Sequence, residues 1–242
     1  MNKVLNLIDK IAHIFLSLGI IIILFVSSID FHCFNYSFFE KEYAKLKTAE
    51  SLEMSQDDLM KATTTLLDYL QNQRDDIDVE INVQGNQVMA FNEKEAIHMI
   101  DVRNLYQSAL LVRSIAMITS IISIIYLWFR QHKTMFLHFS TTFIKVAIVF
   151  GFGLGMLAVW AIADFNSFWT SFHEVLFTND LWLLDPRVDL MINLFPSAFF
   201  FSLVMKIVVS FVVIFATIII ACFIYLKRIF KKGTTYETNL SE

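Results

Sequence analysis

Residues 109–129 read ALLVRSIAMITSIISIIYLWF, an apolar run whose one charge, Arg113, lies near its leading end. A hydrocarbon core of about 30 Å takes on the order of 20 helical residues to cross, so this run is long enough to span a membrane. Three others meet the same measure: Ile11 to Ile29, Thr142 to Ala163, and Phe199 to Leu226. None alternates as a barrel strand does, and lipid offers backbone groups no water, so all four read as helices. A hydrophobic share of 56% with 15% aromatics agrees with an integral membrane protein. The expected fold class is an all-α membrane protein with four transmembrane helices, an extracytoplasmic helical region and a small β-hairpin.

Arg130 and Lys133 follow the quoted run, Lys3 and Lys10 precede the first span, and Lys227, Arg228, Lys231 and Lys232 follow the fourth. Basic residues close to span ends mark the cytoplasmic side, which puts both termini inside. The division is then a cytoplasmic N-terminus (1–10), spans at 11–29, 109–129, 142–163 and 199–226, extracytoplasmic segments at 30–108 and 164–198, a cytoplasmic turn (130–141) and a cytoplasmic tail (227–242). Asp30 to Arg103 carries fifteen acidic and seven basic residues, a balance of −8, in keeping with an outside location. Val26-Ser27-Ser28 resembles a peptidase site, but the first run exceeds the roughly 7 to 15 residues of a signal core and is read as a retained span. Asp30-Phe31-His32-Cys33 lacks the small residues of a lipoprotein signal. Cys33 and Cys222 fall near opposite faces of the bilayer and cannot pair. The tail after Lys232, rich in Thr, Glu and Ser, is expected to be a disordered end. A formal charge of −4, with basic residues tracking one membrane face, gives no reason to expect nucleic acid as a partner.

Upstream of residue 109, Asn92 reads as a helix cap with Glu95 three residues on, as in a capping box. The helix it starts carries His98, with Glu95 and Asp101 at i−3 and i+3, where a carboxylate can orient an imidazole and favour its charged form. Before it, Ile77, Val79, Ile81 and Val83 alternate with polar residues, Gln84-Gly85-Asn86 supplies a turn, and Val88 to Phe91 return as a second strand. Two strands alone are marginal in water, so the hairpin should rest on helices or on the membrane surface. From Phe38 to Asp76, Tyr43, Leu46, Leu52, Leu59, Leu66, Leu67 and Leu70 form the broken apolar stripe of a helical stalk or hairpin.

Downstream, Phe165, Phe168, Trp169, Phe172 and Leu176 share one helical face, the pattern of an interfacial helix with aromatic anchors. Asn166, Thr170 and His173 form a polar stripe beside it. After Thr178-Asn179-Asp180-Leu181-Trp182, Asp185-Pro186 reads as a helix start that leaves Asp189 exposed. Within the spans, Arg113 and Lys145 lie near ends and can snorkel. Lys206, roughly 10 Å into the fourth span, is a candidate for facing a polar cavity. Gly151 and Gly155 have the Gly-xxx-Gly spacing of close helix packing.

Phe91-Asn92-Glu93-Lys94-Glu95-Ala96-Ile97-His98-Met99-Ile100-Asp101-Val102, then Phe172-His173-Glu174, Asn179-Asp180-Leu181-Trp182, Asp185-Pro186-Arg187-Val188-Asp189 and Phe195-Pro196 carry a resemblance. In these segments, in span number and in loop order, the chain resembles the lipoprotein intramolecular transacylase family, Lit, of Gram-positive bacteria. The resemblance implies a multi-pass enzyme of the bacterial cytoplasmic membrane with its site on the extracytoplasmic side. Its partners would be the diacylglyceryl lipoprotein N-terminus and membrane lipids, and it would move the sn-2 acyl chain onto the α-amino group of the same N-terminal cysteine. His98 and His173 correspond to the two family histidines.

The chemistry fits those residue types. Amine and ester belong to one molecule, so holding them in attack geometry supplies on the order of 7 to 11 kcal/mol through effective molarity. A neutral imidazole is matched to an α-amino proton, a contribution of about 10²- to 10⁴-fold. One histidine is expected as base and the other as donor to the oxyanion or leaving alkoxide, with the parts unassigned. Asp101, Asp180 and Asp189 are expected to orient the rings, with Glu95, Asn179 and Trp182 in support. Arg103, Trp169 and Lys206 are candidate substrate-binding residues. No cofactor or metal is called for, and a monomer is expected. Two rivals stand beside this reading. A lipid hydrolase would use Thr170, Ser171 or Ser197 with His173, and a non-enzymatic adaptor would bind a partner through its acidic loop.

Overall fold

The computed structural model describes the backbone of residues 2–239 and the side chains of residues 3–231. Each expected span lies inside a longer helix: α1 (Asn2–Cys33), α5 (Glu93–Gln131), α6 (Met135–Ala163) and α9 (Ser197–Asn239). Among the described residues these four are the helices long and apolar enough to cross a membrane. A helix the length of α5, 39 residues, measures about 58 Å, nearly twice a hydrocarbon core of about 30 Å. Its apolar run occupies the C-terminal half, so the first turns, His98 among them, stand clear of the span. Helical backbone in α9 runs to Asn239, past the point where a disordered end was expected, and residues 240–242 of that tail lie outside the described residues.

Between α1 and α5 come α2 (Tyr36–Leu46), α3 (Thr48–Ser51), α4 (Gln56–Leu70), β1 (Glu80–Val83) and β2 (Asn86–Met89). Between α6 and α9 come α7 (Phe165–Leu176) and α8 (Leu190–Leu194). The chain divides into two compact units, one of Met1–Ser28, Leu111–Ala158 and Val208–Glu242, the other of Ile29–Leu110 and Val159–Ile207.

In the first unit Ile21, Phe143, Phe211 and Phe215 form one buried cluster and Leu16, Leu127 and Met135 another. The close helix approach is at Gly19, where an added Cβ would run into the Ser120 hydroxyl and lie 3.1 Å from the Ala116 carbonyl oxygen. The glycines of α6 do not make the close packing their spacing suggested. A Cβ on Gly153 or Gly155 meets nothing within 4 Å, and one on Gly151 meets only the Phe215 ring at 3.8 Å. Gly19→Ala is therefore expected to destabilise the protein by about 1 to 3 kcal/mol, as overpacking does. Gly155→Ala should be neutral or stabilising by up to about 1 kcal/mol. Thermal denaturation of the two variants in one detergent compares them directly.

The second unit is built on the broken stripe, with Tyr43, Leu59 and Leu66 buried beside Ile81, Leu194 and Phe199. The Tyr43 ring stacks on Phe199 at 5.3 Å and its hydroxyl is hydrogen-bonded to that of Thr63 at 2.8 Å. The hairpin pairs Ile81 with Val88 and Val83 with Asn86 across a two-residue turn. Gln84 and Gly85 both take positive φ (54° and 85°), the backbone a mirror-image hairpin turn requires. Ile77, Val79 and Ile81 point into the helical core, so the hairpin rests on helices.

The helix expected from Asp185 does not form. The Asp185 carboxylate is taken by the backbone N–H and guanidinium of Arg187, which closes a local turn, and α8 starts only at Leu190. Asp189 then stands at the N-cap position of α8 without a side-chain capping hydrogen bond and is buried, not exposed.

Candidate active site

The site is in the second unit, where the start of α5 meets α7 and the loop after it. The capping box forms as the sequence requires: Glu95 N–H donates to Asn92 Oδ1 at 3.0 Å and Asn92 N–H donates to Glu95 Oε2 at 2.9 Å. The other Glu95 oxygen accepts from Met191 N–H at 2.6 Å, and the Asn92 side-chain amide donates to Asp189 Oδ1 at 2.7 Å. Asp189 also accepts from Asp185 N–H at 2.7 Å and faces Lys94 at 3.5 Å. These contacts staple the first turn of α5 to the segment before α9.

One turn further along α5, His98 is only 6% exposed. Its ring lies 6.3 Å from that of His173 on α7, the planes tilted by 35°. Phe177 meets His98 in an edge contact at 5.3 Å and lies tilted against His173 at 5.6 Å. Trp182 stacks on His173 at 5.0 Å, and Trp169 meets it edge-on at 4.9 Å. The Trp169 indole continues into a stack with Phe172 and packs on Phe200. The pair is thus enclosed by aromatic rings.

The two imidazoles differ in their hydrogen bonds. His173 Nδ1 lies 2.7 Å from the Trp169 carbonyl oxygen. A carbonyl only accepts, so Nδ1 carries the hydrogen and Nε2 the lone pair. His98 Nδ1 is buried and has no hydrogen-bond partner among the described residues. Burial pushes the His98 pKa down to about 4, helped by the neighbouring His173 and Lys94 and opposed by Asp101. Asp101 does pull toward the charged ring, as its spacing suggested, but loss of water outweighs it. Burial also lowers His173, against the pull of the Trp169 carbonyl. Both rings are neutral at neutral pH.

A family profile described as lipoprotein intramolecular transacylase Lit matches residues 14–200. The chain belongs to that family. It is accordingly an enzyme, an intramolecular transacylase, and a membrane protein. Solved structures of the membrane integral lipoprotein intramolecular transacylase Lit from Bacillus cereus share its fold. One, determined in meso, is 21% identical with a TM-score of 0.71, over 95% of this chain and 99% of that one. A variant with one histidine replaced by arginine is 20% identical (TM-score 0.69, 97% of each chain), and one with alanine there is 21% identical (TM-score 0.69, 96% and 98%). No curated protein matches the chain.

In this Lit-family chain the remaining expected site residues sort by position. Asp101 accepts a hydrogen bond from Asn179 at 2.8 Å, and the Asn179 side-chain oxygen takes Leu181 N–H at 3.0 Å, so the two shape the loop that carries Trp182. Glu95 and Asp189 act in the α5 staple and make no hydrogen bond to either ring among the described residues. Asp180 is exposed. Arg103 lies over the Tyr69 ring at 4.1 Å and Lys206 over Phe38 at 5.5 Å. Thr170 and Ser197 are exposed.

Two neighbours had not been singled out. Phe177 falls one helical turn after His173, so periodicity alone was enough to flag it. Lys94 is a different case: it donates to the Leu183 carbonyl and faces Asp189, partners that exist only once the 183–191 segment has folded back.

Proposed function

We propose that this Lit-family enzyme transfers the sn-2 ester acyl chain of a diacylglyceryl lipoprotein onto the α-amino group of the same N-terminal cysteine, on the extracytoplasmic face. The observation that carries the proposal is the pair of neutral imidazoles 6.3 Å apart within one aromatic enclosure. The acidic balance of residues 30–103 and the basic turn at Arg130 and Lys133 support the stated orientation.

The amine nitrogen attacks the ester carbonyl carbon, forming the C–N bond, and its proton passes to His173 Nε2, the free lone pair. His98 donates an N–H hydrogen bond to the developing oxyanion. The bond between the acyl carbon and the sn-2 glycerol oxygen then breaks and the proton on His173 passes to that departing alkoxide, so an ester and an amine become an alcohol and an amide. Phe177, Trp169 and Trp182 keep water from competing with the amine.

Because the folded pKa values of both histidines are lowered, both stay neutral on falling pH down to below about 6.5. The amine must be neutral to attack, and an α-amino group titrates near about 7.7 to 8.0. kcat/KM should therefore rise with unit slope to about pH 8 and then level. A second inflection between about pH 6 and 7 would contradict the neutral pair. The reaction itself is tested by incubating purified protein with a synthetic diacylglyceryl lipopeptide and locating each fatty acid by fragment mass spectrometry. An acyl group trapped on the protein, or released as free fatty acid, counts against transfer.

A further inference from the structure

The first unit holds a second polar cluster, for which acyl transfer has no use. On α1, Asp9 and His13 are 4% and 3% exposed. The Asp9 carboxylate accepts hydrogen bonds from the Tyr126 hydroxyl at 2.9 Å and from Gln131 Nε2 at 2.8 Å, and pairs with Arg130 at 3.4 Å. An ionised carboxylate only accepts, which turns the Gln131 amide nitrogen toward Asp9 and its oxygen away. That oxygen lies 3.2 Å from His13 Nε2 and 2.9 Å from His138 Nδ1, and since it also only accepts, both ring nitrogens carry hydrogen. A neutral His13 is left with Nδ1 as a bare acceptor. That atom is buried and without a hydrogen-bond partner among the described residues.

His13 lines a cavity of about 1000 Å³, at the upper end of the range for small-molecule sites. The lining changes character along both helices that form it. The early turns present Lys10 and Lys145, while further into the expected spans come Leu18, Val149 and Phe150. Asp9, the acid of this wall, is already matched by Arg130, so the charge offered by the two lysines is positive.

We propose that this cavity binds the headgroup end of an anionic glycerophospholipid from the leaflet faced by the basic α5–α6 turn. Lys10 and Lys145 hold the phosphate, and the start of an acyl chain lies along Leu18, Val149 and Phe150. The two lysines make the choice of headgroup: phosphoglycerol carries a net negative charge, and phosphocholine is zwitterionic.

The test is native mass spectrometry of the full chain in detergent, titrated separately with phosphatidylglycerol, phosphatidylcholine and glycerol 3-phosphate. Phosphatidylglycerol should bind most tightly. Removal of one lysine charge near a headgroup is expected to weaken binding about fivefold, and the rim pair Lys10→Glu with Lys145→Glu by at least about tenfold. Lys10 and Lys145 are exposed and outside the buried network, so the double variant should fold. Equal binding of the two lipids by the unaltered protein, or affinity unchanged in the rim pair, overturns the proposal. Binding of glycerol 3-phosphate as tight as that of the lipid overturns the lipid as occupant in favour of a soluble phosphate ester.

Discussion

Replacing His173 with alanine should lower acyl migration by about 10²- to 10⁴-fold, the range for a positioned general base. His173 Nδ1 lies 2.7 Å from the Trp169 carbonyl oxygen and carries the hydrogen, so the lone pair is presented at one atom, Nε2. His98→Ala should also remove most activity, by about 10²- to 10³-fold, as loss of an oxyanion donor does. The two roles separate under substitution by asparagine. An amide keeps a neutral N–H donor but has no basic lone pair, so His98→Asn should regain part of the rate over His98→Ala, and His173→Asn should regain none over His173→Ala. Lipopeptide turnover by mass spectrometry reads all four variants, with thermal denaturation in detergent to show that each is folded. Recovery in His173→Asn and none in His98→Asn would reverse the assignment, and full activity in either alanine variant would remove that histidine from the chemistry.

Asp189→Ala is expected to destabilise the protein by about 3 kcal/mol, through the loss of one buried carboxylate. Asp189, 2% exposed, gathers the Asn92 amide, Asp185 N–H and Lys94. Two of these donors are fixed and would be left unpaired. Lys94 is 38% exposed on its side chain and can turn toward water, which keeps the cost below that of a fully buried ion pair. Burial by itself would raise the Asp189 pKa, but the hydrogen bonds and Lys94 together bring it below the usual value. Its stabilisation is thus present at all pH above about 4 and disappears as pH falls through the lowered folded value. The apparent Tm of the variant should fall at neutral pH, and its gap from the unaltered protein should close in acid. A variant with unchanged Tm would mean that the staple between α5 and the 183–191 segment holds little.

How far the site was legible depended on where each partner lay in the sequence. The Asn92 and Glu95 capping box and the hairpin are contacts between close neighbours; the box formed with the partners read from spacing, and the hairpin formed with a tighter turn, Asn86 pairing with Val83 and the second strand running over Asn86–Met89 where Val88 to Phe91 was expected. Asp185-Pro186 shows the limit of such reading. Its helix-start signal lost to Arg187, which captured the same carboxylate two residues away. Asp101 had the right spacing to serve His98, yet its recorded hydrogen bond comes from Asn179 on a distant loop. Gly151 and Gly155 had the right spacing for close helix contact, and the contact went to Gly19, because spacing gives a face of a helix without saying what lies opposite.

The four long apolar helices, the capped turn that starts α5 and the existence of the hairpin were legible in the sequence alone. Hydropathy, cap chemistry and turn chemistry act within a few residues, so a linear reading contains them. That the two rings lie side by side, that one of them has its tautomer set by Trp169, and that Asp189 supports the fold from a buried position were decided by tertiary structure. Each depends on segments far apart in the chain folding back on one another, and burial, which sets the protonation of both rings, exists only after they have done so.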